Sequence, residues 1–371
     1  MHQVDNFAIA TETENTALDI IREINKHLRL PLHILGTITR YNGMDIDQTR
    51  RYVKIHCARY INKLAQGYSW LQDINTNDSR PIPFCSNNAY ITKLVQTPTT
   101  ALSELEHKAL EAKMGIQYRK AMGEIMYPMI KCRPDISTHA ILLSQFMSNP
   151  AEIHYKALKD LIAYLAATPH YGIHYWRQTP REDLPESPPP MLHPDNNSHI
   201  SLTTSEAIYG YVDSDWGTNT PRQNSLTGMI IMYAGGAIGY KTKFQPVIAH
   251  SSTETEFVAA CDTAKLILFY RSLMEDVGIP QEDVTVMYED NNGVLLMANA
   301  QQPTRRTRHM EIKHFALLDW VEQDLLILEH VPTASNAADA MTKPLERNLF
   351  YRHFDTYMGY RIPEYCKAEQ L

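Results

Sequence analysis

The sequence predicts an α/β (α+β) chain whose second half holds a mixed, five-stranded sheet with flanking helices, and three observations lead there. Residues 207–345 read as three strands, a long helix, a strand, helices, a strand and a last helix, an order that mixes antiparallel and parallel pairing. Residues 178–198, QTPREDLPESPPPMLHPDNNS, carry six prolines and almost nothing to bury, which marks an extended linker or exposed loop. The 371 residues are 44% hydrophobic and 21% charged, enough for a sizeable core and against wholesale disorder. The expected division is 1–177, a linker at 178–206, the mixed-sheet domain at 207–345 and a tail at 346–371.

QVDNFAIA reads as a short strand, and a chain that opens inside a strand points to a truncated N-terminus. Residues 16–28 place Ala17, Ile20, Ile21, Ile24 and Leu28 on one helical face. Residues 34–56 read as a β-hairpin around Asn42-Gly43. Helices are expected at 57–66, 117–130, 136–147 and 152–167, and 72–100 reads as loop. Past the prolines, strands are expected at 208–213, 228–233 and 237–242, with a glycine turn at Gly235-Gly236. A helix over 254–277 sets Phe257, Ala260, Cys261, Ala264 and Leu268 at helical spacing. A strand at 284–289, a short helix from Asn292, a helix near 310–323, a strand at 326–331 and a helix from Asn336 complete the unit.

The composition excludes several classes. Five scattered cysteines form no C-x-x-C pair, which argues against a zinc finger or disulfide scaffold and for reduced thiols inside a cell, in cytoplasm or nucleus. No apolar run approaches the roughly 18 residues of a spanning helix, so no membrane partner is expected. A net charge of −7 disfavours a simple phosphate-coating protein, although charge can be local.

Four acids stand where the chain changes direction. Asp213 ends the first strand of the second half, Glu256 opens the long helix, Asp290 ends the fourth strand and Asp339 opens the last helix. Converging carboxylates are the hard oxygen ligands that two-metal phosphoryl transfer requires. Each also has a plain structural explanation. Thr253 and Glu256 match a capping box, Asp290 suits a helix cap, Asp339 suits a helix dipole and Asp213 a solvated strand end. Asp215 shares the Asp213 face at strand spacing, whereas Glu289 should point away from Asp290 if the strand runs that far.

The blocks GYVDSDWG, RQNSLTGMIIMYAGGAIGYKTKFQPVIAHSSTETEFVAA, YEDNNGVLLMA, RTRHMEIKHF and HVPTASNAADAMTKPL resemble the ribonuclease H domain of copia-type LTR retrotransposon polyproteins over about 208–345. The resemblance implies a ribonuclease H-like fold and cleavage of the RNA strand of RNA–DNA hybrids. It assigns Asp213, Glu256, Asp290 and Asp339 as catalytic ligands of two Mg²⁺ ions, with Mn²⁺ as a substitute. Some ribonucleases H place a mobile His before the last acid; VPTASNAA has none, and His330 lies nine residues earlier.

Upstream, QVDNFAIA and residues 118–175 resemble the end of the same polyprotein's reverse transcriptase and its connection to the nuclease. The polymerase acid pair would be Asp5 and Asn6, and neutral Asn6 lacks a charge and a carboxylate oxygen. Residues 1–177 therefore read as a palm, thumb and connection remnant without polymerase function, in which most changes should leave a nuclease untouched. Arg305, Arg306, Arg308, His309 and Lys313 form a basic cluster suited to hybrid phosphates, or else a solvated helix start. Ser251, Ser252 and Asn291 are expected near the RNA 2′-hydroxyls. Other products of the same polyprotein are expected partners. The competing expectation is a catalytically silent, nucleic-acid-binding remnant of a decayed element.

Overall fold

The computed structural model describes all residues except 1, 4–5, 8, 10, 12, 74–81, 98–101, 191–205, 217–223, 247–250, 299–310, 364–365 and 367–371. The upstream part begins with two-residue strands β1 (His2–Gln3) and β2 (Asn6–Phe7), followed by α1 (Glu14–His27). Strands β3 (Arg40–Tyr41), β4 (Met44–Gln48) and β5 (Tyr52–His56) form the expected hairpin and one further strand. Asn42 and Gly43, with φ of 48° and 78°, make the tight turn. Helices α2 (Ala58–Gln66), α3 (Asn88–Gln96), α4 (Glu104–Met114), α5 (Tyr118–Lys131), α6 (Ser137–Ser144) and α7 (Glu152–Ala167) follow. Strand β6 (Gly172–Trp176) returns to pair antiparallel with β5. The expectation of a loop over 72–100 fails at α3. Asn87 caps it, and Ile91, Leu94 and Val95 bury a short apolar face that the surrounding Thr and Asn disguise.

The second half builds one sheet from β7 (Tyr209–Asp215), β8 (Leu226–Tyr233), β9 (Gly236–Phe244), β10 (Thr285–Glu289) and β11 (Leu326–His330). Its order is β11-β10-β7-β8-β9, with β7, β8 and β9 antiparallel and β10 parallel to both neighbours. The parallel pairs require crossovers, supplied by α8 (Ser252–Asp276), then by α9 (Asn292–Ala298) and α10 (Glu311–Glu322). Ala234 and Gly235, rather than Gly235 and Gly236, take the left-handed conformation of the β8–β9 turn. The last helix expected from Asn336 is instead a 3₁₀ turn, Ala337–Met341, and Pro344 just beyond it keeps the turn from continuing as a helix. An α-helix, α11 (Arg347–Tyr357), then runs through the expected tail and buries Phe350, Tyr351, Phe354 and Tyr357.

Each face of this sheet has its own core. On one, Val212, Ile231 and Met287 pack with Phe257, Ala260, Ala264 and Ile267 of α8. On the other, Tyr211, Ile230 and Met232 join the 3₁₀ turn, α11 and the upstream helices α5 to α7 in one cluster. Polar ties cross the same boundary. The Trp176 amide donates to Ala234 O at 2.8 Å, and the Tyr240 hydroxyl to Met129 O at 2.9 Å. The first proline-rich residues lie along β5, where the Arg50 amide donates to Pro185 O and the Tyr52 hydroxyl to Ser187 Oγ at 3.0 Å. Among the described residues no helix is long and apolar enough to cross a membrane.

Candidate active site

Strand β7, central in the sheet, carries Asp213 near its C-terminal end, opposite Gly228 of β8. That glycine is required: a Cβ there would lie 2.6 Å from Met341 Cβ and 2.9 Å from Ala338 O. The bare backbone lets the 3₁₀ turn sit directly on the strand and bring Asp339 beside Asp213. Asn336 caps the turn at Ala338 N and donates to Val212 O at 2.8 Å, so it ties the turn to the strand carrying Asp213. The Thr242 hydroxyl donates to Met341 O at 2.8 Å.

The capping explanations for two acids fail. Ser251 caps α8, accepting from Glu254 N, so Thr253 is already helical and Glu256 lies one turn in, buried against the sheet. Asn291 accepts from Gly293 N at 2.8 Å and opens α9, which leaves Asp290 free of that duty. Ser251 and Asn291, expected near RNA, thus both act as helix caps.

The acids meet in two groups of three. Asp213, Asp290 and Asp339 each offer a carboxylate oxygen within 4.8 Å of the others, and so do Glu256, Glu289 and Asp290. Asp290 belongs to both groups. The condition under which Glu289 would point away from Asp290 is not met: β10 ends at Glu289, so strand alternation does not extend to Asp290. Glu289 keeps the buried face of Thr285 and Met287, towards α8, and Asp290 turns off the strand to bridge the groups. Asp215 is half-buried and lies outside both groups. His330, exposed, ends β11.

The electrostatics of the groups differ. Burial, then Asp213, Glu289 and Asp290, push the Glu256 carboxyl up to about 11. Burial also holds the Glu289 carboxyl well above the usual range, although Oε1 accepts from Asn291 N at 2.9 Å. Glu256 Oε2 and Glu289 Oε2 are buried without a hydrogen-bond partner. In the first group, burial and then Asp213 raise Asp339 only to about 7, because Lys343 Nζ lies 2.9 Å from its Oδ1. Burial likewise raises Asp213, with Lys343 Nζ at 3.9 Å and the Thr342 hydroxyl donating to Oδ2 in opposition. Burial lowers the Lys343 ammonium pKa, but Asp213 and Asp339 outweigh it and raise the net value. Sequence reasoning passed over Lys343; its signal was the spacing of four residues after Asp339.

These donors fit divalent metal. All are hard carboxylate oxygens, two are buried and unsatisfied, and one carboxylate serves both groups. The basic cluster stands apart from this picture. Arg305, Arg306, Arg308 and His309 lie outside the described residues, and Lys313 falls in α10 with its side chain undescribed. Asp5 also lies outside the described residues, and Asn6 starts β2.

No family model matches the chain. It is 26% identical over 320 residues to the retrovirus-related Pol polyprotein from transposon TNT 1-94 of Nicotiana tabacum, covering 85% of this chain and 21% of that protein. It is 28% identical over 278 residues to the corresponding polyprotein from transposon RE1 of Arabidopsis thaliana, covering 74% and 17%. Among solved structures, the compost-derived LC11-RNase H1 matches 37% of this chain and 93% of its own, with 14% identity and a TM-score of 0.30. The chain thus spans about a fifth of the curated relatives it matches first. Its homologues are retrovirus-related Pol polyproteins of copia-type transposons.

Proposed function

We propose that the chain hydrolyses the RNA strand of RNA–DNA hybrids, with Mg²⁺ as its natural ion and Mn²⁺ as a substitute. The observation that carries this reading is the pair of carboxylate groups joined at Asp290. Asp213, Asp290 and Asp339 would hold one ion, and Glu256, Glu289 and Asp290 the other. Bound there, the ions supply an activated water and charge stabilisation of the leaving oxygen. The chain's own residues hold the oxygens in place. Asn336 and Gly228 fix the turn of Asp339 on β7, Thr342 orients Asp213, and Ser251 and Asn291 start the helices beside the remaining acids. Lys343 keeps positive charge at the first group.

Arg305, Arg306, Arg308, His309 and Lys313 are the proposed phosphate contacts, other products of the same polyprotein the proposed partners, and the cell interior the proposed location. Polymerase activity is not part of the proposal, since Asn6 stands where the resemblance places an acid. The test is cleavage of a labelled hybrid by the purified chain. RNA fragments with 3′-hydroxyl and 5′-phosphate ends should appear with Mg²⁺ and vanish with a chelator, while DNA duplex stays intact. Tight hybrid binding without cleavage in Mg²⁺ or Mn²⁺ would favour the silent binding remnant.

A further inference from the structure

The 3₁₀ turn that carries Asp339 is pinned from two sides. Its own sheet contributes Asn336 to Val212 O and Thr242 to Met341 O. The third tie comes from 202 residues upstream: the Thr138 hydroxyl, at the start of α6, donates to Ala340 O at 2.7 Å. Thr138 is fully buried, and Ala337, Ala338, Ala340 and Met341 share one core with Ala140 and Leu143 of the same helix.

Helix α6 is itself anchored. Arg133 and Asp135, both fully buried as side chains, form a bidentate pair with contacts of 2.7–3.1 Å. Arg133 also donates to Thr168 O at 2.8 Å, and the Tyr164 hydroxyl donates to Asp135 Oδ2 at 2.7 Å. Asp135 lies in a 3₁₀ turn, Pro134–Ile136, that leads straight into α6. A rigid corner of the upstream part therefore presents one hydroxyl to the backbone carbonyl next to Asp339.

We infer that Thr138 is a positioning residue for Asp339, so that the upstream part is a working component of the nuclease site and not a leftover. The inference rests on the nuclease reading for its effect on rate, while the ordering of the turn stands without it. It makes Thr138 an exception to the expectation that most changes within residues 1–177 leave the nuclease untouched.

The experiment uses the full chain as wild type, Thr138→Val, which keeps the shape and removes the donor, and Thr138→Ser, which restores it. Amide hydrogen exchange is followed without metal, and hybrid cleavage with Mg²⁺. Thr138→Val should speed exchange at residues 338–343 about tenfold, the loss of one buried hydrogen bond. It should lower kcat about tenfold, leave KM unchanged and leave exchange in β10 and α8 at wild-type rates. Thr138→Ser should recover both measures. Equal exchange in wild type and Thr138→Val, or equal loss in Val and Ser variants, would overturn the inference. If Thr138→Val does not fold, Thr138→Ala is compared with Thr138→Ser on the same readouts. A wild-type chain that never cleaves, yet shows the exchange difference, would reject the nuclease reading and retain Thr138 as the residue that orders the turn.

Discussion

Asp290 is the acid on which the proposed chemistry depends most, because it alone belongs to both carboxylate groups. Asp290→Asn keeps the shape and removes one charge. A unit charge about 4 Å from a cation is worth about 4 kcal/mol at an effective dielectric constant of 20. That corresponds to about a thousandfold in ion occupancy, and Asp290 faces both positions. Hybrid cleavage under kcat/KM conditions should therefore fall at least a thousandfold at fixed Mg²⁺, and the Mg²⁺ requirement of any residual activity should rise. Glu289→Gln affects only the second group and should cost less, while Asp215→Asn, outside both, should cost least. The assay is a Mg²⁺ titration of single-turnover cleavage for the three variants beside wild type. Asp290→Asn cleaving within tenfold of wild type at equal Mg²⁺ would refute the shared-ligand argument.

Gly228→Ala should lower cleavage far more than it lowers Tm, because its Cβ would push on Met341, Thr342 and Ala338 of the Asp339 turn; equal cleavage would show that the close packing is not needed. Burial holds His139 and His353 at about 3 and His174 at about 4, so the unfolded chain takes up more protons below pH 6.5. Their contribution to stability should thus be full above pH 6.5 and fall towards pH 3, each histidine removing about 2 kcal/mol by pH 5, against an opposite contribution from the raised Glu256 carboxyl; a stability difference between wild type and His139→Gln that is the same at pH 7 and pH 5 would contradict this. Arg306→Ala or Arg308→Ala should raise KM with little change in kcat and reduce the log–log salt slope by about one unit or less; an unchanged slope with lower kcat would place them at the cleavage site instead.

Much of the second half was legible because its signals are local. Alternation marked β7 to β9, helical spacing marked α8, and Asp213, Asp290 and Asp339 stood at element ends. The rest shares a cause. The side of Glu289 stays open in the sequence because alternation predicts direction only while a strand continues, and β10 stops there. The Thr253–Glu256 capping box was plausible by pattern, but Ser251 starts the helix two residues earlier and turns Glu256 inward. The role of Thr138 had no local signal at all, since its partner lies 202 residues away. Gly228 likewise looks like an ordinary strand glycine until the 3₁₀ turn is placed against it.

The two carboxylate groups pose different electrostatic problems, and that difference yields a final prediction. Buried like charges must be protonated or offset by a cation. The first group has Lys343 at 2.9 Å from Asp339, and Asp339 is raised only to about 7. Among the described residues, the second group has no comparable ion pair, and Glu256 rises to about 11. At neutral pH the metal-free second group therefore holds protons that the unfolded chain would not. A carboxyl raised on folding contributes stability below its unfolded value near 4.5, and that contribution is lost as pH rises towards 11. A divalent ion must displace those protons, so its affinity should increase with pH and its binding should release protons at pH 7. Mn²⁺ binding to the metal-free chain, measured by calorimetry in two buffers of different ionisation enthalpy, counts them directly. Glu256→Gln should remove about one proton from the release and leave that of Glu289, whereas Lys343→Met should add to the release, because the first-group carboxyls lose the cation that offsets their charge. Binding without proton release at pH 7 would show that the Glu256 and Glu289 carboxyls are already ionised, and would remove the basis for the second ion position.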